Sequence, residues 1–294
     1  MINGDDVYAL LKTAETFLKS AGLSDPKSDA EVLLSSVLQT KRSKLSLIRN
    51  QKLTDKQISQ YKEYILRRSQ REPAAYITGF VSFMDFEFKV NKNVLIPRPE
   101  TELLVEAVLK FAIQENKKSA LDLCAGSGCI AISLVKLGSF KNIAASDISN
   151  DALKIAKENA QINDAFDIDF IASNMFDSIG NKKFDIIISN PPYVSDEEYS
   201  YLEPELKYEP KLALTAQDGG LFFYKEIAGG ALNYLNCGGL VVLELNANKS
   251  SEIKQIFLDN NYKDIEILND YSGLPRILKA KHDTRKISKN MSIN

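Results

Sequence analysis

Apolar residues at helical spacing open the chain. Val7, Leu10, Leu11, Ala14, Phe17 and Leu18 recur every three or four positions, which predicts an amphipathic helix. Ser28-Asp29-Ala30-Glu31 predicts the start of a second helix, with Ser28 and Glu31 as a capping box, running on through Val32, Leu33, Leu34, Val37 and Leu38. A third begins near Thr54, passes Ile58, Tyr61, Ile65 and Leu66, and stops before Pro73. Residues 1–72 thus read as a small helical bundle, a domain of its own. The period then changes: Phe86, Phe88 and Val90 alternate with Glu87 and Lys89, as in one arm of a β-hairpin within a linker over 73–100. Pro97 and Pro99 stop that strand, and Glu100 and Glu102 suit the first turn of a helix.

From residue 101 the two periods take turns. Helices are expected at 101–114, 128–137, 151–162, 222–235 and 249–259. Strands are expected at 119–124, 142–147, 168–172, 184–189, 239–245, 263–268 and 275–280. This alternation predicts an α/β domain over 101–280 built on a mostly parallel, doubly wound sheet. Residues 281–294 read as a polar, basic, disordered tail.

Composition narrows the function classes. Net charge is −2 over 294 residues, and the balance is uneven. Residues 1–85 carry 13 basic against 10 acidic side chains, whereas 86–280 carry 20 against 28, which argues against a long phosphate-tracking groove. Three cysteines are too few for a disulfide framework. No signal peptide and no membrane-length apolar run is recognised, so a reduced cytoplasmic setting is expected. The one histidine, His282, falls in the polar tail, which leaves Ser-His-Asp and Cys-His catalysis without a base. Cys124 and Cys129 read as small packing residues rather than zinc ligands. Arg67, Arg68 and Arg71 form a basic cluster on a helix, readable as a partner contact or as a solvated face.

Two stretches carry candidate chemistry. The first runs from Leu121 and Asp122 through Cys124-Ala125-Gly126-Ser127-Gly128 to Ala131, a strand, a glycine loop and a helix start. Gly126 and Gly128 permit a tight turn and close approach to a ligand. Asp147 ends the next strand, where its carboxylate can accept both hydroxyls of a ribose. Taken alone, this fits a nicotinamide dinucleotide as well as S-adenosylmethionine. The second stretch is Asn190-Pro191-Pro192-Tyr193, directly after the buried-strand pattern Phe184–Ser189. It places an amide and two prolines at the strand's C-terminal edge, where open α/β sheets bind ligands. The Asn190 side-chain oxygen and the Pro191 carbonyl can each accept one N–H of a planar NH2 group, and Tyr193 offers a face to stack on. Hydride transfer has no need of such a clamp; methyl transfer to nitrogen does. A Pro-Pro turn that merely ends a strand is the plainer reading.

With these residues in place, the chain resembles class I S-adenosylmethionine-dependent methyltransferases bearing Asn-Pro-Pro-Tyr, and more narrowly the HemK/PrmC family. The resemblance spans roughly 5–280. It rests on Arg71-Glu72-Pro73-Ala74-Ala75-Tyr76-Ile77-Thr78-Gly79, on Leu95-Ile96-Pro97-Arg98-Pro99-Glu100-Thr101-Glu102, and on Tyr208-Glu209-Pro210 through Asp218-Gly219-Gly220-Leu221. Asp270-Tyr271-Ser272-Gly273-Leu274-Pro275-Arg276 completes it. It implies a Rossmann-like, mostly parallel seven-stranded sheet with an N-terminal helical bundle that docks the substrate. It implies methyl transfer from S-adenosyl-L-methionine (leaving S-adenosyl-L-homocysteine) to the glutamine amide in the Gly-Gly-Gln loop of bacterial class I peptide chain release factors. It also implies a monomer that needs no membrane and no direct nucleic acid.

By the same resemblance Asp122, Cys124, Ala125, Gly126, Ser127 and Gly128 form the cofactor loop, Asp147 holds the ribose, Ile148 belongs to the same cofactor-binding set, and Asn174 and Met175 lie by the adenine. Asn190, Pro191, Pro192 and Tyr193 are the expected catalytic and glutamine-binding residues, Asn190 also nearing the methyl donor. Three positions depart from the family pattern: Cys124-Ala125 for Gly-Thr, Asn174 for Asp, and Glu244-Leu245-Asn246 for Glu-x-Gly. A ribosomal-protein glutamine methyltransferase is the nearest alternative, and an adenine-nitrogen methyltransferase a more distant one.

Overall fold

The computed structural model describes residues 4–282, in two compact units. The first comprises residues 4–80 together with Glu203–Tyr208. Its helices are α1 (Val7–Ser20), α2 (Pro26–Val37), α3 (Asp55–Ser69) and the short α4 (Ala74–Thr78). Leu10, Leu18, Leu33, Leu34, Tyr61 and Ile65 form its core, all fully buried. The Tyr61 hydroxyl donates to Ala30 O at 3.1 Å, so the ring is buried without stranding a polar atom.

Two expectations need correction here. α2 starts three residues earlier than its Ser28 cap implies: Asp25 is the N-cap, accepting from Ser28 N at 3.2 Å, and Pro26 occupies the first turn. Proline suits that position because its missing N–H has no intrahelical partner to lose. The Arg67–Arg71 cluster is not a solvated face, because each of its arginines is held by carboxylates of the helical unit. Arg68 is buried and bonds Asp29 at 2.9 Å and Glu205 at 3.1 Å, Arg71 joins it on Glu205, and Arg67 pairs with Glu72.

The second unit comprises 81–202 and 209–282. A hairpin of β1 (Phe80–Phe83) and β2 (Phe86–Lys89) turns through Met84 and Asp85, both at positive φ, as a two-residue loop requires. The Met84 N–H of that turn donates to Glu102 at 2.7 Å. Then follow α5 (Pro99–Gln114), β3 (Ser119–Leu123), α6 (Cys129–Leu137), β4 (Asn142–Asp147), α7 (Asn150–Ile162), β5 (Ile168–Ala172) and β6 (Phe184–Ser189). After β6 come three short turns of helix, α8 (Asp196–Ser200), α9 (Lys211–Leu214) and α10 (Gln217–Gly220). The unit closes with α11 (Phe222–Gly230), β7 (Leu235–Glu244), α12 (Ser250–Asp259), β8 (Tyr262–Asn269) and β9 (Pro275–His282). α11 stops five residues short of its expected end, since Leu235 already pairs with Phe184 in the sheet. The last strand takes in Lys281 and His282, so the histidine is a buried strand residue rather than part of a tail; residues 283–294 of that tail lie outside those described.

The seven strands run in the order β5-β4-β3-β6-β7-β9-β8. β3 to β7 pair in parallel, and β9 runs antiparallel against both β7 and β8. Alternate strand residues feed two cores. Ala120, Ile186, Ile188 and Val242 pack with Leu104, Val108, Ile130 and Ile132 of α5 and α6. Leu121, Leu123, Ile187, Val241 and Leu243 pack with Tyr224, Ile227, Ile253 and Phe257 of α11 and α12. With both faces covered, the central strands read as the continuous apolar runs seen in the sequence. The chain leaves β3 toward β4 on one side while β6 lies on the other. This order reverses at β3 and β6, and the crevice beyond their C-terminal ends is where such sheets take ligands. Among the described residues no helix is long and apolar enough to cross a membrane.

Candidate active site

Three residues shape the loop leaving β3: Cys124, Gly126 and Gly128 all have positive φ. A Cβ on Gly128 would lie 3.0 Å from that of Ala156, so glycine there lets the start of α6 sit against α7. At Gly126 the nearest atom to an added Cβ is 4.0 Å away, so the backbone is open on its ligand side. Asn159 of α7 braces the loop from behind: its amide donates to Ser127 O at 2.9 Å and to Lys89 O at 3.0 Å, and accepts from Lys89 N at 2.6 Å. The Asp147 carboxylate accepts from Gly126 N and Ser149 N, each at 2.9 Å. Burial nevertheless raises its carboxyl above the usual range. Each of its oxygens has lone pairs left for a ligand's hydroxyls.

Of the residues expected to hold the cofactor, Cys124, Gly126, Asp147, Ile148, Asn174, Met175 and Asn190 line one cleft. Asp122, Ala125, Ser127 and Gly128 are buried behind the loop and do not line it. Asp122 instead accepts from Ala131 N at 3.2 Å, at the start of α6. Val94, Leu95, Pro210, Leu212 and Ala213 supply further apolar lining. Two of these segments are tied by Glu209, a buried carboxylate that accepts from Ile96 N at 2.9 Å and pairs with Arg98. Among the described residues no lysine or arginine lines the cleft, and the one charged side chain there is Asp147. A sulfonium cation fits that lining, whereas the pyrophosphate of a dinucleotide would face an acid with no cation to offset it.

Burial pushes the Cys124 and Cys129 thiols up to about 12, so both stay protonated and inert. Among the described residues no group of His, Cys, Asp and Glu is placed to hold a metal.

At the end of β6, Ser189 donates to Leu123 O at 2.6 Å, locking the two strand ends that flank the crevice. Asn190 and Pro192 line the cleft, Pro191 is buried, and Tyr193 is half-buried. The structure adds two side chains to this tetrapeptide. Asn190 Nδ2 donates to the Thr101 hydroxyl at 3.1 Å, Thr101 donates to Glu244 Oε2 at 2.7 Å, and the Tyr193 hydroxyl donates to Glu244 Oε1 at 3.2 Å. Glu244 is 1% exposed, and burial raises its carboxyl while Thr101, Arg276 and Tyr193 oppose that shift. Gly220 is also tied to the site: an added Cβ would sit 2.3 Å from Tyr193 O.

Thr101, Glu209, Gly220 and Glu244 are absent from the sequence-derived site. All four occur in the quoted motifs, but nothing in a linear pattern says that positions over a hundred residues apart share a hydrogen bond.

Comparison with known proteins shows the family. The PrmC N-terminal domain family matches residues 9–79, and the methyltransferase small domain family matches 99–207. The release factor glutamine methyltransferase of Lactococcus lactis is 41% identical over 267 residues, covering 89% of this chain and 96% of that one. That of Fusobacterium nucleatum is 36% identical over 268 residues, covering 90% and 76%. A methyltransferase structure from Pyrococcus furiosus superposes with a TM-score of 0.53 at 16% identity, covering 76% of this chain and 99% of that one, a likeness of fold. Helical unit, seven-stranded sheet, glycine loop and Asn-Pro-Pro-Tyr edge occur together here because the chain belongs to the release factor glutamine methyltransferase family.

Proposed function

We propose that this protein methylates the side-chain amide nitrogen of the glutamine in the Gly-Gly-Gln loop of bacterial class I peptide chain release factors, using S-adenosyl-L-methionine. The observation that carries this reading is Asn190, whose Oδ1 has no hydrogen-bond partner among the described residues and borders a cleft without cations. S-adenosylmethionine supplies a methyl group already activated by its positive sulfur. Asp147 would hold the ribose hydroxyls, Gly126 would allow close approach of the loop, and Ile148 and Met175 would flank the adenine.

The chain's own task is the acceptor. An amide nitrogen is a weak nucleophile because its lone pair is shared with the carbonyl. Asn190 Oδ1 and the Pro191 carbonyl would accept its two N–H bonds and aim the nitrogen at the methyl group. As the nitrogen–carbon bond forms, the sulfur–methyl bond breaks to leave S-adenosyl-L-homocysteine, and the nitrogen gives up one proton to water during or after transfer. Proline at 191 and 192 removes backbone freedom from the clamp, and Tyr193 stays fixed through Glu244. Positioning of this kind lowers a barrier by roughly 7–11 kcal/mol without a general base. The helical unit would dock the factor, and the enzyme would work as a cytoplasmic monomer without nucleic acid. Three cysteines outside any disulfide, and a cleft that no basic side chain lines among the described residues, support that setting.

Transfer of labelled methyl from S-adenosylmethionine to a purified bacterial release factor tests the reading. Label should appear on the intact factor and vanish when the loop glutamine is replaced. Asn190→Ala should cut turnover by about 100-fold or more, the scale of a lost positioning contact. Asp147→Ala should chiefly weaken cofactor binding, by about 10-fold or more for a lost charged hydrogen bond. Full turnover in Asn190→Ala would defeat the clamp.

A further inference from the structure

We infer that Thr101 and Glu244 are positioning residues that set the hydrogen-bond polarity of Asn190, so that the site accepts from an amide NH2 and turns away a carboxylate. The inference rests on the glutamine-amide reading above and deepens it.

The argument is a count of protons. A carboxylate only accepts, a hydroxyl has one proton to give, and an amide side chain carries acceptor and donor on opposite edges. Glu244 is buried at the end of β7 and holds both hydroxyls that reach it, Thr101 at 2.7 Å and Tyr193 at 3.2 Å. The single proton of Thr101 is therefore committed to Glu244. Only lone pairs remain to face Asn190, so the edge of Asn190 at 3.1 Å must be its NH2. The oxygen edge is left for the cleft.

Were Asn190 reversed, two oxygens would meet at Thr101 and two NH2 groups would meet at the acceptor. Thr101 sits in the first turn of α5 and Glu244 closes β7, so elements far apart in sequence fix one amide orientation. A site with this polarity fits glutamine. It rejects glutamate, which would bring acceptors to acceptors, and unpaired buried groups make such discrimination strong. A purely structural role would look different: Thr101 and Glu244 would pin α5 to the sheet, and any change would act through stability alone.

Thr101→Val separates the two roles, because valine keeps the shape and loses the proton relay. In methyl transfer to a purified release factor, Thr101→Val should lower kcat by about 10- to 100-fold. Its Kd for S-adenosylmethionine by calorimetry and its thermal midpoint should stay close to wild type. Thr101→Ser keeps the hydroxyl and should return kcat to within about threefold, while Glu244→Gln, which can donate toward Thr101, should fall with the valine variant. A readout independent of turnover is the Asn190 side-chain NH2 in protein labelled with 15N at asparagine. Its exchange with water should be slow in wild type and Thr101→Ser, and at least about tenfold faster in Thr101→Val, as a lost hydrogen bond implies. Wild-type kcat in Thr101→Val, equal losses in the serine and valine variants, or unchanged Asn190 exchange would each overturn the inference. Wild-type protein that methylates no factor would instead overturn the proposed function, and the exchange measurement would still decide the polarity.

Discussion

Asp122 and Asp147 end neighbouring strands, yet only Asp147 reaches the cleft. Asp122 is fully buried, with one oxygen on Ala131 N and the other without a partner among the described residues. Burial pushes its carboxyl up to about 8, the Ala131 N–H partly opposing this and the charge of Asp147 adding to it. An unfolded aspartate titrates near about 4. Between those values the folded protein holds the extra proton, so its stability falls as pH rises from about 4 to about 8 and then levels off. Asp122→Asn removes that titration. Urea midpoints at pH 5 and pH 8.5 should therefore converge in the variant relative to wild type, and equal slopes in the two proteins would show that Asp122 is ionised throughout. The same pair shows where sequence reading stops. Aspartate at a strand end signals a ligand carboxylate by type, but in a strand covered on both faces no alternation reveals which aspartate faces the cleft. The place of Asn190 on the cleft was legible because an asparagine followed by two prolines after an apolar run marks the C-terminal edge of a buried strand. Its partner Thr101, and the Glu244 to which Thr101 donates, were not, because their meaning lies in a contact across 143 residues.

Elements with a strong period were legible to within a few residues. β3, β4, β6 and α7 follow the expected ranges because apolar runs and polar punctuation coincide there. The stretch from Val194 to Leu221 was not, since its short helices are set by tertiary contacts rather than by a repeat. Val194 N donates to Leu214 O at 2.9 Å and Ala216 N to Val194 O at 2.8 Å, folding the chain back beside the turn at residues 190–193. Gly220 closes that return at φ +90, where an added Cβ would lie 2.3 Å from Tyr193 O. Gly220→Ala should thus cost stability, by about 1–3 kcal/mol for a strained left-handed residue, and also displace Tyr193. Gly180 is the control, since it has φ +69 but nothing within 4 Å of an added Cβ. Gly180→Ala should lose stability alone, whereas Gly220→Ala should also lose more than about tenfold in methyl transfer, as misplaced reacting groups do. Equal activity in the two variants would remove Gly220 from the site.

At the scale of the whole molecule, the helical unit owns a piece of chain that its own sequence does not contain. Glu203–Tyr208 belongs to it, although residues on either side belong to the catalytic unit. Arg68 holds this piece, bridging Asp29 and Glu205 with its side chain 8% exposed, and the Tyr208 hydroxyl adds a bond to Gln70 O at 2.8 Å. A bundle of helices was legible from periodicity; the borrowed segment was not, since a charged run in a helix usually faces water. Removing the cation from a buried cluster strands both carboxylates, which costs about 3–5 kcal/mol when burial is complete. Asp29 and Glu205 are each 17% exposed, so Arg68→Ala should sit near the low end, at about 3 kcal/mol. Arg67→Ala, which breaks only the more open pair with Glu72, should cost less than about 1 kcal/mol. Hydrogen exchange over 203–208 should accelerate in Arg68→Ala and not in Arg67→Ala. If the helical unit docks the factor, Arg68→Ala should also raise KM for the intact factor while leaving transfer to a short Gly-Gly-Gln peptide unchanged. A peptide affected as much as the factor would place the loss in the catalytic unit and remove the docking role.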